Sequence, residues 1–163
     1  MECFVYQKHI DLHAVSALEA INTFMNLTDC KRLSRYVHWT IDVDTTETPS
    51  EFFSKITEKS YYLLNPNKED FYTALKPIKG KDVSTIFVDV FPKVELDNTV
   101  LVDKLNLQCG THIKRIQKAV TWQCEIDCQQ DSKAFVKTHL LPSETSSGIL
   151  ANPVYESFCF LNN

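Results

Sequence analysis

The chain has 163 residues, a formal net charge of −4 and a hydrophobic fraction of 44%. This length and apolar content suffice for one mid-sized domain or for two small ones that share a core. A charged fraction of 23%, without long blocks of one sign, argues against disorder. The acidic balance disfavours a nucleic-acid partner, because such binders usually carry a basic surplus.

The sequence shows no sign of export, membrane insertion or a metal site. The opening "MECFVYQKHI" lacks the basic and apolar regions of a signal peptide. No apolar run approaches the ~20 residues that a membrane span needs. The six cysteines include no Cys-x-x-Cys pair, which disfavours a zinc ribbon or a redox site. We therefore expect a soluble, cytoplasmic protein with no membrane partner and no metal.

The first elements predicted along the chain are a strand, a helix and a long central strand. "CFVYQKH" predicts the strand, and Asp11 is a suitable N-cap for a helix to about Leu27. Val15, Leu18 and Ile21 recur at helical spacing and predict its buried face. Apolar and polar side chains alternate over residues 37–43, which predicts a half-buried strand. The segment 31–44 is long, which leaves open two strands that turn near residues 34–35 instead.

A second helix and a short strand follow. Thr48-Pro49-Ser50-Glu51 has the pattern of a capping box with proline at the first helical position. The helix is predicted to run to about Leu64, where Asn65-Pro66 ends it. "EDFYTAL" predicts the final strand of this half.

The second half of the chain repeats the first. "KRLSRYVHW" (31–39) returns as "KRIQKAVTW" (114–122), so the two tryptophans of the chain occupy equivalent places. "LLNPNKEDF" (63–71) returns as "LANPVYESF" (150–158). Strands at "STIFVDVFP", "AVTWQCEID" and "YESFCFL", with helices after Asp97 and from about Ser132, complete the same order. We predict two tandem units, 1–75 and 84–163, joined by an exposed linker at 76–83.

The element order predicts an α+β fold. Both halves follow the β-α-β-(β)-α-β pattern of the ferredoxin-like βαββαβ unit. A unit of ~75 residues buries little apolar surface by itself. We therefore expect the two tandem ferredoxin-like units to pack as a pseudo-twofold dimer.

Each unit resembles PurS, the small subunit of phosphoribosylformylglycinamidine synthase. Members of that family have a basic hairpin before the central strand and a second helix that ends in Leu-Leu-Ala-Asn-Pro-x-x-Glu. The hairpin glycine of the family is replaced by Ser34 and Gln117. The matching positions, which we take as candidate interface residues, are Arg32, Arg35, Arg115, Lys118, Asn65, Asn152, Glu69 and Glu156.

The resemblance implies a non-catalytic assembly subunit in purine biosynthesis. Such a subunit bridges a PurL-like synthetase and a PurQ-like glutaminase for ammonia transfer, as the accessory part of an ATP- and glutamine-dependent ligase. We expect no catalytic residue, cofactor or metal in the chain itself, since the five histidines do not recur at equivalent positions. A small-molecule-sensing regulatory module of paired ferredoxin-like units is the alternative. Whether the chain forms a homo-oligomer stays open.

Overall fold

The computed structural model describes residues 1–78, 83–127, 131–143 and 148–161. The fold is α+β, with a six-stranded antiparallel sheet in the order β3-β1-β2-β5-β4-β6. The strands are β1 (Glu2–Gln7), β2 (Cys30–Val43), β3 (Glu69–Tyr72), β4 (Val83–Pro92), β5 (Ile113–Asp127) and β6 (Glu156–Phe160). The helices are α1 (Leu12–Glu19), α2 (Pro49–Lys59), α3 (Thr99–Cys109) and α4 (Ser132–Phe135). Within the described ranges, no helix is long and apolar enough to cross a membrane.

Helices α1 and α2 begin at the N-caps that the sequence predicted. The Asp11 carboxylate accepts from the backbone N–H groups of His13 and Ala14 at the start of α1. At α2, the Thr48 hydroxyl and the Glu51 carboxylate form the reciprocal capping box, with proline in the first turn. These side chains satisfy backbone donors that have no partner inside the helix.

Two helix ends differ from the prediction. The α-helical part of α1 ends at Glu19 and continues as a π-helical turn over Ala20–Phe24. Helix α2 ends at Lys59, several residues before Leu64, because the backbone of Ser60 is extended. The Ser60 hydroxyl donates to the carbonyl of Ile56 and satisfies one carbonyl of the last turn. Helix α4 continues as a π-helical turn that ends at Leu140, two residues before Pro142.

The central strand of the first half is a single strand. β2 runs without interruption over its 14 residues, so the alternative of two strands that turn near Ser34 and Arg35 is wrong. β5 likewise passes through Gln117 without a turn over 15 residues. Both strands lack the glycine that would ease a tight turn. Each half of the chain therefore contributes three strands rather than four.

The chain divides into two compact units, and each unit takes residues from both halves of the sequence. Unit 1 comprises Met1–His9, Tyr36–Leu75 and Glu95–Ala119. Unit 2 comprises Ile10–Arg35, Lys76–Val94 and Val120–Asn163. These units differ in composition from the predicted copies 1–75 and 84–163. Residues 79–82 of the predicted linker lie outside the described residues.

The core of unit 1 combines helices from opposite halves of the chain. Phe52, Phe53 and Ile56 of α2 pack with Leu105 and Cys109 of α3. The same cluster contains inward-facing residues of β1 and β2, and the start of β5. Unit 1 therefore contains two helices on a four-stranded layer, an arrangement compatible with ferredoxin-like folds.

The core of unit 2 is built in the same manner. Ala14 and Ile21, from the first helix of the chain, pack with Phe135, Val136 and residues of β4, β5 and β6. The first helix of each half thus contributes to a core whose second helix comes from the other half. This exchange leaves each half without one of the helices that its own outer strands need.

Candidate functional site

The first Asn-Pro loop is held by side chains of its own motif. The Glu69 carboxylate accepts from the backbone N–H of Asn65 at 2.7 Å, and the Asn65 side-chain oxygen accepts from the N–H of Asn67 at 3.1 Å. The carbonyl of Pro66 accepts from the ammonium of Lys8 at 2.7 Å. The loop following α2 is therefore closed by contacts within the motif and tied to the end of β1.

The second Asn-Pro loop makes the same contacts. The Glu156 carboxylate accepts from the backbone N–H of Asn152 at 2.6 Å, and the Asn152 side-chain oxygen accepts from Val154 N–H at 2.9 Å. The carbonyl of Pro153 accepts from Lys93 at 2.6 Å. Donor and acceptor atoms correspond one for one between the two loops, although the residues between them differ.

Each loop is also tied to the buried tryptophan of its half. The Trp39 indole N–H donates to the carbonyl of Leu63 at 3.0 Å, and the Trp122 indole N–H donates to Leu150 at 3.1 Å. A buried indole needs such an acceptor. The motif Leu-x-Asn-Pro-x-x-Glu and the tryptophan therefore form one hydrogen-bonded structural motif, which occurs once in each unit.

Replacement of Glu156 by Gln is expected to destabilise unit 2 modestly. The change weakens a charge-assisted hydrogen bond to a backbone donor, so we expect a loss of about 1 kcal/mol in the free energy of unfolding. Urea denaturation followed by tryptophan fluorescence measures it, since Trp122 contacts the same loop. Glu58→Gln on the exposed side of α2 is the control. Equal stability of the two variants would contradict the structural role of Glu156.

The basic candidates lie beside carboxylates or a ring rather than in one open patch. In unit 2, Arg32 lies 3.7 Å from a Glu125 oxygen and Arg35 lies 3.8 Å from an Asp11 oxygen. In unit 1, Arg115 contacts Glu95 at 2.6 Å. The ammonium of Lys118 lies 5.2 Å from the centre of the Trp39 ring, which is a cation–π distance. Arg32 and Arg115 keep more than half of the side chain exposed.

Glu125 gives Arg32 an electrostatic role within unit 2. The Glu125 side chain is largely buried, and within the described structure one of its carboxylate oxygens has no hydrogen-bond partner. A buried charge without hydrogen bonds is costly, so the nearby guanidinium offsets part of that cost. Arg32 therefore compensates the charge of the Glu125 carboxylate on β5. It also remains an exposed interface candidate.

The lysines that begin the repeated basic stretch form equivalent ion pairs. Lys31 lies 3.5 Å from an Asp127 oxygen, and Lys114 lies 2.8 Å from an Asp44 oxygen. The hydrogen bond to Asp44, and then its charge, raise the pKa of Lys114. In each pair, the lysine at the start of one long strand contacts the aspartate at or just beyond the end of the other. Such exposed pairs contribute little to stability, but they favour this strand alignment.

Exposed apolar side chains on the first helix of each half were not predicted from sequence. Ile10, Leu12, Val15 and Phe24 are exposed in unit 2, with Phe24 at 84%. The expectation that Val15 faces the core is therefore wrong, whereas Ile21 is fully buried. The signal available in the sequence was an apolar pattern too wide for a single helix face.

The corresponding region of unit 1 is exposed as well. Leu96 precedes α3, Val100 and Leu107 belong to it, and Leu107 is 89% exposed. We call these two sets the apolar stripes of unit 2 and unit 1. Exposed apolar patches are typical of surfaces that bind other proteins, so these residues are candidates for such contacts.

Burial suppresses the reactivity of several thiols. It raises the pKa of Cys3 to about 12, and burial followed by the charge of Glu125 raises the pKa of Cys30 to about 11. The reactive species is the thiolate. The folded state binds the protons of these two thiols more tightly than the unfolded state does. This tighter binding contributes to the free energy of unfolding below pH ~9, and the contribution is lost as the pH rises through the folded pKa values.

We expect Cys159 to be alkylated by iodoacetamide at pH 8 much faster than Cys3, Cys30 or Cys124, because only Cys159 of these four is exposed. Mass spectrometry of digested protein gives the rate at each residue, and the same reaction in 8 M urea is the control. Cys128 lies outside the described residues and is replaced by Ser in the test. Alkylation of Cys3 or Cys30 as fast as Cys159 in the native protein would contradict their burial.

A shallow groove of ≈ 520 Å³ in unit 1 lies at the start of α3. It is lined by residues 95–99, Val102, Asp103 and residues 114–116. The Asp97 carboxylate accepts from the hydroxyl and the backbone N–H of Thr99, which lowers the pKa of Asp97. The lining includes acidic residues (Glu95, Asp97 and Asp103) and basic residues (Lys114 and Arg115). Within the described ranges, no group of three or more His, Cys, Asp or Glu side chains is suited to hold a metal ion.

Comparison of the chain with protein-family profiles, with curated protein sequences and with solved structures found no match.

Proposed function

We propose that this chain, which carries two PurS-like repeats in its sequence, is a non-catalytic assembly subunit of phosphoribosylformylglycinamidine synthase. It bridges a PurL-like synthetase and a PurQ-like glutaminase and allows ammonia from glutamine to reach the synthetase. The chain itself carries out no step of the reaction.

The observation that supports this proposal best is the doubled Asn-Pro loop. Glu69 and Glu156 accept from the backbone of Asn65 and Asn152 at 2.7 and 2.6 Å, and each loop accepts from a lysine and a tryptophan. Asn65, Glu69, Asn152 and Glu156, which carry part of the resemblance to PurS, are the residues that close these loops. Within this chain, the same set of contacts occurs in both loops.

The apolar stripes supply a surface suited to assembly. Leu12 and Val15 on α1, and Val100 and Leu107 on α3, are exposed large apolar residues. A large subunit that buries such residues gains free energy from their removal from water. Because each unit carries one stripe, the proposal provides two comparable surfaces, one for each of two partners.

Affinity capture from a native lysate, with ADP and glutamine added, tests the proposal. We expect mass spectrometry to identify a PurL-like synthetase and a PurQ-like glutaminase, and we expect Arg115→Glu or Leu107→Glu to reduce their recovery at least fivefold. Lys137→Glu reverses a charge at another exposed position and is the matched control. Recovery of neither enzyme with the unmodified chain would overturn the proposal.

The groove of unit 1 favours a second candidate, a small-molecule-sensing module. Its lining combines Glu95, Asp97 and Asp103 with Lys114 and Arg115, which suits a zwitterionic ligand such as an amino acid. A ligand that binds only the folded state raises the melting temperature. A thermal shift with an amino acid or nucleotide that Lys114→Ala abolishes would favour this candidate. The absence of any shift across both classes would reject it.

A further inference from the structure

The two edge strands of the sheet differ in how their outer backbone groups are used. Within the described residues, β6 has a neighbouring strand only on the side of β4, and β3 has one only on the side of β1. The outer side of such a strand presents N–H and C=O groups that can pair with a further strand. Each edge is therefore a potential binding site unless the chain satisfies those groups itself.

Alternate residues of β6 direct their backbone groups away from β4. The N–H of Leu161 donates to the carbonyl of Phe87 in the register of the β4–β6 pair. In an antiparallel pair, residues that exchange hydrogen bonds alternate with residues that do not. The residues of β6 whose N–H and C=O groups point outward are therefore Glu156, Phe158 and Phe160.

Two of these outward-facing residues are open. The N–H of Glu156 donates to the carbonyl of Asn152 at 2.8 Å, inside the Asn-Pro loop. Within the described residues, no side chain or loop carbonyl accepts from the N–H groups of Phe158 and Phe160. Residues 157–160 also lack the charged side chains and prolines that usually protect an edge strand.

The corresponding edge strand of unit 1, β3, is closed. By the same alternation, its outward-facing residues are Glu69 and Phe71. The N–H of Glu69 donates to the carbonyl of Asn65 at 2.8 Å. The N–H of Phe71 donates to the Asp70 carboxylate at 2.9 Å. In the repeat, Ser157 occupies the place of Asp70, so β6 lacks the carboxylate that closes β3.

The two open residues of β6 match each other in a second copy of the strand. When two β6 strands run antiparallel about a twofold axis at Cys159, Phe158 of one copy lies opposite Phe160 of the other. Both of these residue pairs then exchange backbone hydrogen bonds, and Cys159 lies opposite its own copy in a pair without hydrogen bonds. This register uses every open donor of β6 and leaves the bond from Glu156 to the Asn-Pro loop intact.

The side chains favour the same register. Phe158 and Phe160 are half-buried against the core of unit 2, and their ring centroids lie 6.5 Å apart at an interplanar angle of 84°. Opposite residues of an antiparallel pair have their side chains on the same face. Each ring would therefore pack beside a ring of the other copy and lose exposed apolar surface.

We propose that β6 pairs antiparallel with β6 of a second copy of this chain, about a twofold axis at Cys159. A strand of another protein would have to supply a match to Phe158 and Phe160 by its own sequence, whereas a second copy supplies it by symmetry. The paired segment is short, so the dimer is weak, with a dissociation constant on the order of 100 µM.

Sedimentation velocity of the purified chain under reducing conditions, from about 5 µM to 1 mM, tests this proposal. We expect the average mass to rise from that of the monomer toward that of the dimer. Cys159→Lys places two ammonium groups directly opposite each other and is expected to weaken dimerisation at least tenfold. Ser157→Lys is the matched control, because residue 157 lies opposite Leu161 of the second copy, and its effect is expected to stay below threefold.

Ser157→Asp tests the open donor itself. It restores at β6 the carboxylate that Asp70 provides at β3, where that group accepts from the N–H of Phe71. The N–H of Phe158 then has an acceptor within its own chain, and we expect dimerisation to weaken at least fivefold. Ser157→Thr, which adds no carboxylate, is the control and should dimerise as the unmodified chain does.

Disulfide formation reports the register. In a Cys128→Ser chain, oxidation with diamide, which takes up the two protons and two electrons of two thiols, is expected to link Cys159 of the two copies. Opposite residues without hydrogen bonds have Cα atoms ~4.5 Å apart, within the range of a disulfide. When Ser157→Cys and Cys159→Ala move the thiol by two positions, the two copies lie ~13 Å apart and no link should form.

A mass that remains that of the monomer at ~1 mM would overturn the proposal, since even a millimolar affinity would be detected there. Equal losses in Cys159→Lys and Ser157→Lys, unchanged dimerisation in Ser157→Asp, or equal cross-linking of the two thiol positions would also overturn it. These measurements need neither the synthetase nor the glutaminase. The dimer can therefore fail while the assembly role survives, and the assembly role can fail while the dimer forms.

Discussion

Neither half of the chain, expressed separately as residues 1–80 and 81–163, is expected to form a folded monomer. Helix α3 packs in the core of unit 1 and helix α1 in the core of unit 2, so each half lacks a helix that its own outer strands require. Exposed core surface of this size leaves a small domain below the threshold of stability. Each half should be unfolded or self-associated, and mixing the halves should restore an equimolar complex.

Size-exclusion chromatography with light scattering gives the masses of the separate and mixed halves, and circular dichroism gives their helix content. A chain cut at the same point by a protease site after folding is the control, because it has the same ends and the native contacts. A folded monomer of either half alone would contradict the composition of the units.

Replacement of Leu105 by Ala is expected to destabilise unit 1 by about 2–5 kcal/mol, the usual cost of removing a buried leucine and leaving a cavity. Leu105 is 0% exposed and packs in the cluster that contains Phe52, Phe53 and Ile56 of the other half of the chain. The loss should therefore appear in the unfolding of residues that are distant in sequence.

Helix α3 supplies its own control for this substitution. Leu107 lies two residues further along and is 89% exposed, so Leu107→Ala is expected to change the free energy of unfolding by less than about 0.5 kcal/mol. Chemical denaturation monitored by tryptophan fluorescence measures both variants in a Trp122→Phe background, since Trp39 belongs to the same cluster. Equal losses in the two variants would contradict the orientation of α3.

Short-range features of the fold were predictable because their causes lie in a few neighbouring residues. The caps at Asp11 and Thr48 follow from side chains that accept hydrogen bonds from the next turn. The alternation around Trp39 indicated a strand, and β2 contains it, although His38 on the opposite face is buried as well. The repeat predicted that the second half would contain the same order of elements, and strands and helices were found in that order.

The exchange of helices between the units was not predictable, because it depends on pairing between distant segments. The sequence around Ser34 left open a turn or a continuous strand, and the structure has one strand that belongs to unit 2 up to Arg35 and to unit 1 from Tyr36. Neither the helical spacing around Val15 nor the pattern of α3 says which sheet the helix covers. The order of elements was therefore accessible, whereas the composition of each core was not.

The candidate site also has a part that short-range sequence patterns predicted and a part that depends on contacts between distant segments. Asn65, Glu69, Asn152 and Glu156 were singled out from the repeat, and the structure gives them hydrogen bonds that close their loops. Their role as interface residues stays a prediction, as does that of Arg32, Arg35, Arg115 and Lys118. Sequence reasoning missed the contacts among Tyr6, Tyr36 and Tyr72, because these rings come together only through strand register.

The most direct test of the assembly role is the activity of the synthetase and glutaminase, purified from the same organism, with and without this chain. We expect the chain to raise glutamine-dependent formation of the amidine product at least tenfold, a difference of about 1.4 kcal/mol in the barrier. The reaction supplied with ammonium chloride should be unchanged, because ammonia then needs no delivery. A glutamine-dependent rate that is the same with and without the chain would contradict the proposed function.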